Sequence, residues 1–494
     1  MGSGRRRRRE YWSANRPVKA SKYVPNHAGT RRNSKDLHQI GGCGELSILP
    51  ICLLGGEGGE SELGGEGEAD AAAEGSAAEG SAAVIGRKTR DLAVVWVLPE
   101  RKPVPDLFMA QCREPVSMHH QEVRKILNPA FHIEKLKIMV PAMQFSCELM
   151  AQKWEEILLN KEHVDIDVWP FLDHLAGDMI SRAAFGSSYN EGLQISRIQK
   201  EQFALMLAFY RSKLYQIPGW RFLPTKSTRM MKKNYKTVRA LVMNIIEQRK
   251  SNKESKADLL GILLGILLES NAKEVEESKG SGISKGMSID DVVGEVKLFY
   301  MAGEEAISSF LAWTMILLSQ HQEWQQRARD EVFQVFGAAA PDFDGLSHLK
   351  IVAMIMNEVL RLYPPPGILF RSVSKPIQLK DITLLPGMTL YLPLALVHRD
   401  PELWGDDANE FKPERFLEGV SGTKRTPGSF FAFGGGARSC IGQNFALLEA
   451  KMALAIILWW FSFELSPTCT HAPALTMVLY PQFGANLILR KIRS

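Results

Sequence analysis

What the chain lacks narrows its class. Its six cysteines, at positions 43, 52, 112, 147, 440 and 469 of 494 residues, show no Cys-x-x-Cys and no paired spacing. That reads as a reducing compartment, with one thiol set aside as a ligand and five bystanders. No window approaches eighteen uninterrupted apolar residues, so no transmembrane helix is expected. An excess of one charge is also missing: 60 Lys and Arg against 55 Asp and Glu leave a net charge of +5. Such a mild value does not argue for nucleic acid, and no nucleic-acid partner is expected. A hydrophobic content of 45% is that of an ordinary globular protein, and the length suffices for one large core.

Residues 1–90 lack any fold-forming pattern. Arg5 to Arg9 are five consecutive arginines, and residues 55–83 are almost wholly Gly, Glu, Ala and Ser. Such a stretch buries too little apolar surface to offset its ordering entropy, so 1–90 is expected to be a disordered low-complexity segment. The arginine run reads as a solvated tail ahead of a nucleic-acid patch or a targeting peptide. Residues 92–98 form at most one short strand. From Arg113 onward long helical patterns dominate, and the folded domain is assigned to 91–494. Helices are predicted over 133–160, 169–185, 192–213, 228–250, 288–322, 322–337 and 346–363. Residues 259–268 read as a four-residue apolar unit copied in tandem, and 271–286 as a polar link. Strands are predicted at 368–373, 377–379 and 389–392. Residues 474–480 and 486–489, flanking Pro481-Gln482-Phe483-Gly484, predict a β-hairpin.

The most informative stretch is 433–442, Phe-Gly-Gly-Gly-Ala-Arg-Ser-Cys-Ile-Gly. Three consecutive glycines make a bend that brings backbone close to something large. One cysteine ends the bend, and an apolar helix-forming run follows at once. A thiolate there stands at a helix N-terminus, stabilised by the dipole and by free N–H groups. Such a sulfur suits a metal that takes a strong electron donor, and haem iron is the leading case. The spacing Phe-Gly-x-Gly-x-Arg-x-Cys-x-Gly resembles the haem-thiolate signature of the cytochromes P450, with every fixed position filled. The bland alternative is a glycine loop holding an inert cysteine. The resemblance implies haem b, with Cys440 as its axial ligand, Arg438 on a propionate and Phe433 packed beside the sulfur.

Two further motifs stand in the family's order. Glu358 and Arg361, three apart on one helix, share a face. They precede Leu362-Tyr363-Pro364-Pro365, and Pro413-Glu414-Arg415-Phe416 lies before the cysteine loop. These resemble the Glu-x-x-Arg and Pro-Glu-Arg-Phe elements, which implies a Glu358–Arg361–Arg415 triad behind the haem. Asn128-Pro129-Ala130-Phe131-His132, Ile441-Gly442-Gln443-Asn444-Phe445-Ala446 and Pro481-Gln482-Phe483-Gly484-Ala485 resemble one plant clan. It comprises secologanin-synthase-like, brassinosteroid-inactivating and triterpenoid-oxidising enzymes. The fold implied is mainly α with a small β subdomain, recognisable from about residue 113, its N-terminal part truncated or replaced.

The chain departs from that pattern at two functional positions. Where the family carries Ala-Gly-x-Glu-Thr-Thr, this chain has Ala302-Gly303-Glu304-Glu305-Ala306-Ile307. Glu305 survives as the proton-relay acid, but Ala306 replaces the hydroxyl that helps deliver protons. Ser309, one turn on, is a partial substitute through water. Where the family carries Trp-x-x-x-Arg, this chain has His120-Gln121-Glu122-Val123-Arg124 and keeps only the arginine. Arg124 and Arg371 are the remaining expected propionate partners.

The resemblance implies a monooxygenase that inserts one oxygen atom from O2 into a small hydrophobic plant metabolite, terpenoid or steroid-like. The alternatives are a haem-thiolate isomerase or peroxygenase, and an inactive remnant. The expected pocket comprises Phe299, Ala302, Ile368, Leu369, Met477, Val478 and Leu479. Electrons would come from an NADPH-cytochrome P450 reductase, across a basic face including Lys412, Lys424, Arg425 and Lys451. Trp220, Phe222 and Leu223, ringed by cations, imply membrane-surface contact. The endoplasmic reticulum membrane is the expected location, although no N-terminal anchor helix is visible.

Overall fold

The computed structural model describes residues 83–84, 96–98, 124, 127–184, 189–211, 225–251, 289–379, 382–422 and 429–492. The arginine run, residues 212–224 with Trp220, Phe222 and Leu223, the tandem apolar unit at 259–268, and the basic pair Lys424 and Arg425 lie outside them.

Among the described residues, eight helices of eleven residues or more carry the fold: α1 (Ile133–Leu158), α2 (Trp169–Met179), α3 (Tyr189–Arg211), α4 (Lys226–Ser251), α5 (Ile289–Gln320), α6 (Gln322–Phe336), α7 (Lys350–Leu362) and α8 (Gln443–Trp460). Their sequences dictate how deep each lies. On α1 the buried side chains Leu136, Val140, Met143, Cys147, Met150, Trp154 and Leu158 recur every three or four residues. One apolar stripe therefore faces inward, while the outer face mixes charged residues with the exposed Ile138 and Phe145. In α5 every residue from Ile307 to Leu318 is buried, and in α8 every residue from Leu448 to Trp459 except the half-buried Lys451. A helix apolar on all sides belongs at the centre, and these two pack against each other there. Residues 293–320 of α5 are long and apolar enough to cross a membrane by composition, but 72% of the most apolar window is buried inside the protein.

Among the described residues, four small sheets border this core. The largest has the order β1 (Ala83–Val84), β2 (Trp96–Leu98), β7 (Thr389–Leu392), β4 (Leu369–Ser372), all antiparallel. Trp96 stands opposite Tyr391, and Tyr391 opposite Phe370. The short strand expected within 92–98 is therefore present. The sheet also reaches back to Ala83–Val84, inside the stretch expected to lie outside the fold. Strands β5 (Ile377–Leu379) and β6 (Ile382–Leu384) form a separate pair.

The terminal hairpin is not formed as expected. Strand β10 (Leu479–Pro481) pairs with β9 (Pro473–Leu475), whereas β11 (Asn486–Lys491) lies between β3 (Val164–Asp167) and β8 (Phe461–Leu465). Asp167 explains the divergence: its Oδ1 accepts the Ala485 N–H at 2.8 Å and draws the chain to β3. Gly484, at φ +81°, leaves room for it, because a Cβ there would meet the Asp167 carboxylate at 2.5 Å. The expected helix over 169–185 also loosens, passing into a π turn at Ile180–Ala184.

Candidate active site

The cysteine loop is held at both ends by backbone hydrogen bonds. The Gly434 N–H donates to the Phe431 carbonyl, and the Cys440 N–H to the Phe433 carbonyl, each at 2.7 Å. Gly434 has φ +71° and Gly436 φ +65°, the left-handed region that favours glycine. A methyl group added to Gly435 or Gly436 would meet nothing within 4 Å, so this side of the loop faces open space. One added to Gly434 would lie 3.8 Å from both the Arg371 guanidinium and the Leu369 side chain. Strand β4 thus delivers Leu369 and Arg371 to the loop.

Cys440 is exposed. The protein around its sulfur still raises the thiol above its ordinary range, opposed by the Gly442 N–H and the charge of Arg124. Arg124 donates to the Ser439 carbonyl. Burial, then Arg371 and Arg124, press the Arg438 guanidinium below the usual arginine range. Three guanidinium groups therefore converge beside an exposed sulfur and an open glycine bend. Among the described residues no carboxylate pairs with Arg371 or Arg438. A flat ligand carrying two carboxylates and a metal that takes a thiolate satisfies all of these groups, so the residues present fit haem b.

Behind the loop, Glu358 and Arg361 are fully buried and joined by two hydrogen bonds of 2.8 and 2.7 Å. Arg361 also donates to the carbonyls of His398, Ala408 and Glu410. Arg415 Nε stands 3.4 Å from Glu358, and its Nη2 binds Asp407 Oδ1 at 2.8 Å. That contact holds the Asp407 carboxyl down to about 2. The motif pair separated by more than fifty residues is thus one ion cluster.

Helix α5 passes the site with Ala302 exposed and Phe299 half-buried, 5.6 Å from the ring of Phe131. Phe131 was not singled out for the site, yet its ring lies 3.8 Å from where a Gly442 Cβ would stand, so it joins loop to helix. Glu305 lies 3.9 Å from Lys200 of α3, and burial raises its carboxyl to about 7. The adjacent Glu304 is buried and accepts from Ser196 Oγ and Lys200 Nζ, both at 2.6 Å. Lys200 also binds Asp173 of α2 at 2.6 Å. The doubled acid was the only sequence signal for this cluster, because Lys200 lies more than a hundred residues away.

Ser309 does not take the place expected for it. Its Oγ donates to the Leu479 carbonyl at 2.5 Å, alongside Trp313 Nε1 at 2.8 Å. A buried hydroxyl committed to a carbonyl is not a free water partner. Of the expected pocket residues, Ile368, Leu369 and Met477 are half-buried. Val478 and Leu479 are packed into the protein, the latter clamped by α5 and by the carbonyl of Pro365, which accepts its N–H at 2.8 Å. Of the expected basic face, Lys412 and Lys451 are described, and Lys424 and Arg425 lie outside the described residues. Lys412 is held by Asp407 at 3.0 Å and Glu410 at 2.9 Å, and Lys451 donates to the Leu346 carbonyl.

The family model described as Cytochrome P450 matches residues 114–487. Cytochrome P450 72A397 of Kalopanax septemlobus is 51% identical over 80% of this chain and 75% of its own length. The 7-deoxyloganic acid hydroxylase of Catharanthus roseus is 49% identical over 75% of this chain and 71% of its own. Among solved structures, the retinoic acid-bound cyanobacterial CYP120A1 superposes with a TM-score of 0.65 at 24% identity, covering 77% of this chain and 81% of that one. That likeness shows the fold.

Proposed function

The chain belongs to the cytochrome P450 family, and from that premise we propose that it inserts one oxygen atom from O2 into a C–H bond of a hydrophobic plant metabolite, terpenoid or steroid-like. The family makes it a haem b oxidoreductase of the monooxygenase class, with relatives in the plant 72A group. Haem supplies the oxygen chemistry when bound. The chain's own residues do the rest. Cys440 is the thiolate ligand, and Arg124, Arg371 and Arg438 receive the propionates. Glu358, Arg361 and Arg415 hold the chain behind the loop. Glu305 is the proton-relay acid beside Ala306. Ala302, Phe299, Ile368, Leu369 and Met477 offer apolar surface to the substrate. Electrons come from NADPH through a P450 reductase, and the protein works at the endoplasmic reticulum membrane.

The observation that carries this reading is the exposed Cys440 beside three converging guanidiniums and an open glycine bend. Its test is the ferrous–CO spectrum. Wild-type protein is expected to give the far red-shifted Soret band of a thiolate–haem, and Cys440→Ser to lose it completely. An unchanged spectrum in the variant overturns the assignment.

A second reading, a haem-thiolate isomerase or peroxygenase, is favoured by one specific feature. Ala306 offers no hydroxyl and Ser309 is bound to Leu479. Turnover of an organic hydroperoxide with neither NADPH nor reductase present supports it; a strict need for both rules it out.

A further inference from the structure

His398 lies between the buried ion cluster and the cysteine loop, and the reading above gives it no role. It is fully buried and caps the short helix Leu394–Val397. Its carbonyl accepts from Arg361 Nη1 at 2.7 Å. Its ring Nε2 accepts the Phe431 N–H at 3.2 Å. Because a backbone N–H can only donate, Nε2 carries the lone pair and the ring is the neutral Nδ1–H tautomer. Nδ1, the donor, faces the backbone of Arg361 and Leu360 without closing a full hydrogen bond. The ring stacks on Phe430 with centroids 5.4 Å apart and planes at 21°, which fixes the direction of Nε2. Phe431 in turn accepts the Gly434 N–H, and the Phe433 carbonyl accepts that of Cys440.

One continuous chain therefore runs from Glu358 through Arg361, the His398 backbone and the His398 ring to the first residue that anchors the glycine bend. We propose that His398 is a positioning residue for the thiolate, tying the Cys440 loop to the Glu358–Arg361 pair by accepting the Phe431 N–H. The inference rests on the haem-thiolate reading of Cys440. It assigns His398 its acceptor rather than its bulk: the ring's stacking is a property phenylalanine shares, and the lone pair is not.

Two substitutions separate these roles. His398→Phe keeps the stack and removes the acceptor, leaving the part-buried Phe431 N–H unpaired. His398→Gln gives up the stack but places Oε1 about where Nε2 stood. The measurements are haem content, cooperative thermal unfolding, and the share of the ferrous–CO complex showing the red-shifted band. The Phe variant is expected to lower the ratio of thiolate-ligated to thiolate-lost protein about tenfold, the effect of one unsatisfied, part-buried donor. The Gln variant is expected to keep that ratio within about twofold, since its hydrogen bond is retained. If the Phe variant loses haem altogether, a normal band in the Gln variant upholds the proposal. A Phe variant with the wild-type ratio overturns it, and so does a Gln variant impaired as much as the Phe variant. Wild-type protein lacking the band removes the haem-thiolate reading itself, and this inference with it.

Discussion

Behind the cysteine loop, buried charge is matched group against group. Glu358 holds Arg361 and Arg415, Asp407 holds the far side of Arg415, and carbonyls take the remaining Arg361 donors, while Arg415 Nε lies 3.4 Å from Glu358 without a hydrogen bond. Beside the central helix one ammonium, Lys200 of α3, is shared by Asp173, Glu304 and Glu305. The first arrangement leaves no proton in play and serves to hold shape. The second has a surplus of carboxylate in a buried place, and there a proton is retained near neutrality. Position and chemistry are thus separated across the site. The side behind the Cys440 loop is matched in charge. The Glu305 side, proposed to move protons, is charged and titratable, and Ala306 beside it offers no hydroxyl.

The largest effect expected on this contrast comes from breaking the matched side. Arg361→Ala leaves Glu358 buried without its main partner and should cost about 3–5 kcal/mol. Chemical denaturation would show it as a lower midpoint at unchanged slope. A change below about 1 kcal/mol would mean that the cluster relaxes and is not the frame described here.

The two sides should next respond oppositely to pH. Burial, then Arg361, depresses His398 from 6.5 to about 3, so the unfolded chain binds this proton first and stability falls as pH drops below 6.5 toward 3. Glu305 is raised from 4.5 to about 7, so its contribution is full below 4.5 and is lost as pH rises through about 7. Thermal unfolding against pH should show both slopes. Glu305→Gln should flatten the upper one and leave the lower one intact; equal loss of both would show that the two groups are not independent.

A smaller effect is expected where a side chain was predicted to serve oxygen and instead serves packing. Ser309→Ala removes one of two donors to the Leu479 carbonyl and should cost about 1 kcal/mol without altering peroxide yield. A rise in peroxide would return Ser309 to the proton path.

Much of the matched side was legible in the sequence, and the reason is local. Gly434 to Gly436 and Cys440 lie within one bend, and Glu358 and Arg361 within one helical turn, so residue type and spacing already specify geometry. The proton side was half legible: Glu305 and Ala306 are adjacent, but Lys200 and Asp173 reach them from other helices. Ser309 was misread because a hydroxyl bonded to a backbone carbonyl leaves no trace in the partner's identity. His398 escaped notice for the same reason. Of the strands expected at 474–480 and 486–489, the second forms within β11 and the first divides into β9 and β10, which pair with each other; an apolar extended segment does not name its neighbour, and Asp167 draws the second to β3.

The most direct test of the division between the charge-matched side and the side proposed to move protons is hydrogen peroxide formed per NADPH consumed, in wild type and in Ala306→Thr. With reductase and a lipophilic substrate supplied, wild type should route most NADPH to peroxide. A proton-transfer contribution on the order of a hundredfold is absent at this position, so peroxide release competes with oxygen insertion. Ala306→Thr should lower peroxide per NADPH and raise product, with the ferrous–CO band unmoved because Cys440 is untouched. Low peroxide in wild type, unchanged by threonine, would contradict the account.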